Sequence, residues 1–299
     1  MVDDRGRPVS DEGFALLGHE IRLDILRAFF DSYTPIDPDS LSAVRDQRTL
    51  SYVELMAATD MEDSGKFNYH LDKLRDVYIE EIEEGYVPTA GAIALYEAVM
   101  ANRPTESVPT NFDIEESCPN CASGLQAKYE QEFLTVECCA CDLFWGATYR
   151  FPKNGLAVRD GEDVYKALYD RMMYHVGLAR TGQCPSCAGL TTVTVPRDRL
   201  DGEATPTVEL NCKTCSWFVT VDIVSALQFV PQVTSAMLDL GIPLSESSSM
   251  RATEAVLPNV TGHLDSAEPF EATITITFDE ANAEIVVDES LCVHSTTVN

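Results

Sequence analysis

The sequence predicts an α+β protein: a helical N-terminal third with one hairpin, two small cysteine ribbons, and a C-terminal αβ segment. Three observations predict it. Apolar residues recur at helical spacing over the first hundred positions. CxxC pairs occur at 118/121, 138/141, 184/187 and 212/215. A run of alternating apolar residues follows near the C-terminus.

The helical third is justified segment by segment. Ser10 can cap a helix whose apolar positions Phe14, Leu17, Ile21, Ile25 and Phe29 keep one face. Asp31 to Arg48 is a polar, proline-containing connection. Ser51-Tyr52-Val53-Glu54 has the form of a capping box and opens a short helix through Ala58. Thr59 to Asp63 is a turn, and Ser64 can cap a third helix with Phe67, Leu71 and Leu74 inward. Val77-Tyr78-Ile79 and Tyr86-Val87 flank an acidic turn ending in Gly85, which is a hairpin pattern. Thr89 can cap a fourth helix carrying Ile93, Tyr96, Val99 and Met100. This region, 1–101, ends at a proline-rich linker, 102–110.

The ribbons form a degenerate repeat over 118–141 and 184–215. Cys118-Pro119-Asn120-Cys121-Ala122 answers to Cys184-Pro185-Ser186-Cys187-Ala188. Cys138-Cys139-Ala140-Cys141, followed by Phe144-Trp145, answers to Cys212-Lys213-Thr214-Cys215, followed by Trp217-Phe218. Each CxxC offers two thiolates from one turn, and two turns complete the tetrahedron that structural zinc prefers. The lengths between pairs, 122–137 and 188–211, accommodate two short strands each. The expected ligands are Cys118, Cys121, Cys138 and Cys141 for one zinc ion, and Cys184, Cys187, Cys212 and Cys215 for a second. Iron in a four-sulfur site shares this chemistry. Four thiolates leave no open position for a catalytic metal. Cys139 and Cys292 read as small buried side chains. The first ribbon is placed at 111–160 and the second at 183–224. Between them, at 161–182, lies a connecting helix with Val164, Leu168 and Met172 on one stripe. The segment 225–299 holds a helix starting at Pro231 and stopping at Gly241, a loop-rich stretch over 242–269, and a hairpin. In that hairpin Ile274, Ile276 and Phe278, then Ile285 and Val287, flank Asp279–Glu284.

Charge constrains the setting. There are 49 acids against 21 bases, a net of −28, and the acids are spread along the chain. An acidic surface of this kind fits a cytoplasm of molar salt, where the Debye length falls to about 3 Å and self-repulsion is screened. The polar N-terminus carries no apolar leader segment and no apolar run reaches membrane length, so a cytoplasmic protein with no membrane partner is expected. Paired CxxC motifs in such a compartment point to metal rather than disulfides. No Gly-rich phosphate loop, nucleophile elbow or HExxH helix occurs, so an enzyme is not expected.

Helix two, the turn and helix three have helix-turn-helix spacing, with the hairpin as a wing. Two segments add a resemblance. Leu17-Gly18-His19-Glu20-Ile21-Arg22-Leu23-Asp24-Ile25-Leu26 is similar to the first helix of ArsR-type winged-helix regulators. Ser64-Gly65-Lys66-Phe67-Asn68-Tyr69-His70-Leu71-Asp72-Lys73-Leu74 resembles their recognition helix in its haloarchaeal form. The resemblance covers about residues 10–100 and implies a homodimeric transcription regulator whose third helix enters the major groove of double-stranded DNA. It assigns DNA contact to Lys66, Asn68, Tyr69, His70, Lys73 and Arg75, with His70 half buried. The metal-sensing cysteines of that family are missing here: Met61-Glu62-Asp63 precedes the helix. A winged helix followed by a zinc ribbon also resembles the alpha subunit of the general transcription factor E. That alternative implies a protein-interaction module without sequence readout. The wing's Glu80, Glu81, Glu83 and Glu84 oppose phosphate contact.

Overall fold

The computed structural model of the chain describes residues 16–31, 48–102, 107–118, 121–141, 148–159, 161–201, 205–242 and 259–299. Ser10 and Phe14, most of the 31–48 connection, and Phe144-Trp145 lie outside the described residues. The architecture is mixed α+β with several antiparallel sheets, in two compact units, Met1–Thr105 and Glu106–Asn299.

In the first unit, α1 (Glu20–Asp31), α2 (Tyr52–Ala58) and α3 (Ser64–Leu74) precede a hairpin of β1 (Ile79–Ile82) and β2 (Gly85–Pro88), and α4 (Ala90–Asn102) follows. Ile25, Phe29, Leu55, Phe67, Leu71, Leu74 and Ile79 fill the core. The capping box at Ser51 is formed: its hydroxyl accepts from the Glu54 amide, and the Glu54 carboxylate accepts from the Ser51 amide. Three expectations need correction. Leu17, Gly18 and His19 are not helical, so the helix starts at Glu20 instead of running through from Phe14. The cap of α3 is Asp63, whose carboxylate accepts from the amides of Gly65 and Lys66 at 2.9 and 3.0 Å, and Ser64 is the first helical residue. The hairpin is tighter than expected. Ile82 pairs with Gly85 around Glu83-Glu84, while Val77 and Tyr78 belong to the turn before β1.

Gly85 is needed where it stands. Its φ is +146°, and a Cβ there would lie 2.6 Å from the Leu50 carbonyl oxygen. That close approach lets Leu50 and Tyr86 exchange backbone hydrogen bonds at 3.0 and 2.9 Å, anchoring the chain before α2 to the hairpin. Thr89 caps α4, accepting from the Ala92 amide at 3.4 Å. Tyr96 stacks on Phe30 at 4.1 Å, whereas Val99 and Met100 are about half exposed at 50% and 49%.

The second unit begins with a four-stranded meander, β3 (Asn111–Ser117), β4 (Gly124–Glu130), β5 (Phe133–Cys138) and β6 (Thr148–Arg150). A short α5 (Lys153–Ala157) leads to α6 (Gly161–Arg180). The strands β7 (Thr191–Thr194), β8 (Thr207–Cys212) and β9 (Phe218–Asp222) make a second sheet. After α7 (Ile223–Leu227) and α8 (Pro231–Asp239) come β10 (Asn259–Ala267), β11 (Phe270–Phe278), β12 (Ala281–Val287) and β13 (Val293–Val298), a third antiparallel sheet.

The helix α6 organises this unit. Val164, Leu168 and Met172, the stripe expected from sequence, are buried together with Tyr165, Met173 and Val176. One continuous hydrophobic core joins them to Leu134 and Val136 of β5, Val208 and Leu210 of β8, and Ile274 and Ile285 of the last sheet. The alternation seen at 274–278 and 285–287 is the β11–β12 pairing, with Phe278 opposite Ala281, so the turn is shorter than 279–284. The 242–269 stretch is not all loop, since β10 occupies its end. At that strand Gly262 passes under Pro206 and Leu200, where a Cβ would meet atoms at 2.8 and 3.1 Å. Asp201 accepts there from the Leu264 amide at 3.1 Å and lies 2.8 Å from His263 Nδ1.

Candidate metal centres

Two CxxC knuckles build each centre. In the first, the Cys118 amide donates to the Ser123 carbonyl at 2.6 Å and Ala122 closes back onto the Cys118 carbonyl at 2.8 Å. In the second, Cys184 donates to Gly189 at 2.8 Å and Ala188 to Cys184 at 2.9 Å. Ala122 and Ala188 both adopt left-handed backbone, with φ of 57° and 56°. The repeat in sequence is thus a repeat in backbone geometry. The far knuckles agree as well: Cys139 donates to Gly124 at 3.1 Å, as Lys213 does to Leu190 at 2.9 Å. Backbone amides of Ala140, Thr214 and Cys215 point at the knuckle sulfurs at 3.4, 3.2 and 3.3 Å, a donor arrangement that favours thiolate.

The sulfurs converge. Cys118 and Cys141 are 3.7 Å apart and Cys121 and Cys138 are 3.4 Å apart. Cys184 and Cys215 are 3.7 Å apart and Cys187 and Cys212 are 3.6 Å apart. Within each group all ligand atoms lie inside 4.8 Å. A tetrahedron with metal–sulfur bonds of about 2.3 Å has edges of about 3.8 Å. A disulfide would need sulfurs about 2.0 Å apart. These separations fit four thiolates around one ion, and they exclude two disulfides. The donor set therefore fits a structural metal in both places. Hydrogen bonds from the Ser123 hydroxyl and amide lower the Cys121 thiol to about 6, and burial pushes the Cys215 thiol up to about 12. Four neighbouring thiols cannot all ionise without a cation between them.

Cys139 and Cys292 are exposed, against the expectation that both are buried. Cys139 stands where the second ribbon has Lys213, an exposed position of the knuckle, and its backbone amide is the one that donates to Gly124.

The residues assigned to DNA contact divide. Lys66, Asn68, Tyr69 and Lys73 share the exposed side of α3, Tyr69 being 55% exposed, and the Lys73 ammonium sits 5.7 Å from the Tyr69 ring centroid. Among the described residues neither lysine has an acidic partner. Arg75 lies past the end of the helix and pairs with Asp72 at 3.1 Å and with Glu81 of β1. His70 is a correction: it is 4% exposed instead of half buried. The His19 ring covers it at a centroid distance of 4.1 Å, which removes it from the outward face. Burial, then the neighbouring His19, Arg22 and Lys66, hold its imidazole below the usual range.

One polar chain, buried at Trp217 and Tyr149 and half-buried at His175, is not visible in the sequence. Trp217 Nε1 donates to the Tyr149 hydroxyl at 2.7 Å, and that hydroxyl lies 2.7 Å from His175 Nδ1. Tyr149 is lifted to about 12 by burial, so it keeps its proton, and it donates to Nδ1 when the His175 proton sits on Nε2. Burial, assisted by Arg171, lowers His175 to about 4, leaving a neutral acceptor. The indole is the aromatic that follows the second ribbon; nothing in the sequence pointed to its partners, 68 and 42 positions away.

The model of a domain of unknown function (DUF7351) matches residues 115–293, and that of another (DUF7347) matches residues 10–99. Neither curated proteins nor solved structures give a match. No described helix is long and apolar enough to cross a membrane.

Proposed function

The chain belongs to the family of the domain of unknown function DUF7351, and from that premise we propose that it is a sequence-specific DNA-binding transcription regulator with two structural zinc ions. In this reading α1 to α4 and the β1–β2 hairpin are a winged helix-turn-helix of ArsR-like type, α3 is the recognition helix, and the protein works as a cytoplasmic homodimer. The observation that carries it is the outward face of α3. Among the described residues its lysines are left without acid partners, in a chain of net charge −28, while Arg27 and Arg75 of the same unit are paired with Asp24 and Asp72. Asn68, Tyr69 and the two lysines offer an amide, an aromatic face and cations, the groups that read adenine, thymine methyl and guanine edges. Zinc is the metal of choice for two closed four-sulfur sites that leave no position for substrate. Their thiolates hold the ion, and its binding ties the two knuckles of each ribbon together at the end of strands already packed on the core.

The acidic hairpin favours a second reading. Glu83 and Glu84 form its tip, and a wing without bases suits a protein partner, as in a general transcription factor module. Genome-wide crosslinking to chromatin separates the two. Discrete palindromic sites support the regulator, and signal at most active promoters supports the general factor. Metal analysis of the purified chain should give two zinc ions; none would remove the zinc assignment.

A further inference from the structure

The chain from buried Trp217 and Tyr149 to half-buried His175 touches three elements that the sequence presents as separate. Trp217 stands two residues beyond Cys215, and its carbonyl accepts from the Cys212 amide at 3.0 Å, so its backbone is part of the second knuckle. Tyr149 belongs to β6 and pairs with Leu134 of β5, the strand that delivers Cys138 to the first cluster. His175 is on α6, whose end is tied to the second ribbon by the Thr191 hydroxyl, 2.5 Å from the Ala179 carbonyl. Tyr149 and Trp217 are 4% and 6% exposed. A hydroxyl accepting at 2.7 Å and donating at 2.7 Å in such a place has no water to replace either partner.

From this geometry we infer that the two four-cysteine centres are energetically coupled, and that the Trp217–Tyr149–His175 chain carries the coupling. Closing the second knuckle fixes Cys212 and hence the position of the indole. The indole holds the Tyr149 hydroxyl, which holds β6 against β5 and α6. Opening either ribbon strands buried donors and acceptors that belong to the other ribbon's support. The two centres therefore bind their ions cooperatively, each raising the other's affinity. The inference rests on both clusters holding a metal.

The test uses the full chain with Trp145→Phe, which leaves Trp217 as its one tryptophan. Zinc content is measured first, then zinc is withdrawn with a competing chelator while Trp217 emission is followed. Cys121→Ser disables the first centre at an exposed ligand, and Cys187→Ser disables the second at its exposed counterpart. Coupling of ordinary size lowers the remaining centre's affinity about tenfold in each case, by the same factor in both directions. In Cys121→Ser, Trp217 emission shifts to the red. In Tyr149→Phe both ions still bind, and the two cysteine substitutions act only on their own centres. Should Tyr149→Phe lose its circular-dichroism signature, His175→Ala removes the far partner without touching either ribbon and must reduce the coupling. Two ions with independent affinities, or coupling that survives both substitutions, overturns the inference alone. Fewer than two ions in the unaltered chain overturns the metal reading and the inference with it.

Discussion

Replacing Gly85 by alanine tests how the N-terminal unit is held together. The residue has φ of +146°, outside the range L side chains adopt readily, and the new Cβ would meet the Leu50 carbonyl oxygen at 2.6 Å and its carbon at 3.0 Å. Relief requires the Leu50 segment to retreat from the hairpin. That breaks the paired hydrogen bonds between Leu50 and Tyr86 at 3.0 and 2.9 Å. Backbone strain costs about 1–3 kcal/mol and each lost bond about 0.5–1.5 kcal/mol. Partial relaxation trades one against the other, so the net loss is about 2–4 kcal/mol, a large share of a domain's marginal stability. At about 1.4 kcal/mol per tenfold, amide exchange at Leu50 and Tyr86 should quicken by about thirty- to several-hundredfold. Hydrogen exchange read by mass spectrometry over the hairpin peptides is the assay. Gly91→Ala is the control: it lies on α4, its Cβ would find only the Thr89 hydroxyl at 3.7 Å, and helix propensity makes it neutral or stabilising by about 0.5–1 kcal/mol. Equal exchange in the two variants would refute the reasoning.

Lowering KCl from molar to about 0.1 M lengthens the Debye length to about 10 Å and restores repulsion among the 49 acids, so the thermal midpoint should fall; a salt-independent melt contradicts a halophilic surface. His175, lowered to about 4 by burial, contributes stability that is complete above the unfolded value near 6.5 and is lost as pH falls toward 4, because the unfolded state takes the proton first. The difference between unaltered and His175→Gln pH–stability curves, both taken with zinc in excess so that the centres stay filled, isolates that imidazole, and identical curves would count against it. Glu83→Ala and Glu84→Ala at the hairpin tip should leave DNA affinity unchanged or raised, since carboxylates repel phosphates; a fall in affinity would show that the tip makes favourable contacts.

Local chemistry was legible in the sequence. The capping box at Ser51, the helix of 161–180 and the eight cysteines depend on spacings within a turn or a knuckle, and the structure realises them. What the sequence does not show depends on partners distant in the chain. His70 sits on a helical wheel at a half-buried angle, and the His19 ring, from the stretch before α1, closes over it. The strands β10 and β13 are hard to see in sequence because they are the edges of their sheet. Edge strands bury less, and Asn259-Val260-Thr261-Gly262-His263 and Val293-His294-Ser295-Thr296-Thr297 carry few apolar residues to alternate. Asp63 rather than Ser64 caps α3 because either residue type serves, and one position of slip decides which carboxylate or hydroxyl reaches the free amides. The Trp217–Tyr149–His175 chain has no sequence period at all.

The central claim is that α3 reads DNA through its exposed face, and one titration tests it most directly. Tyr69→Ala and Lys73→Ala, whose side chains stack together on that face, are compared with the unaltered chain against a duplex selected from chromatin, in molar KCl. Both side chains are exposed, so circular dichroism and zinc content should not change. Each substitution should cost about 1–3 kcal/mol of specific binding, about five- to 150-fold in Kd. If both variants bind as tightly as the unaltered chain, α3 is not the reader, and the protein-interaction reading takes its place.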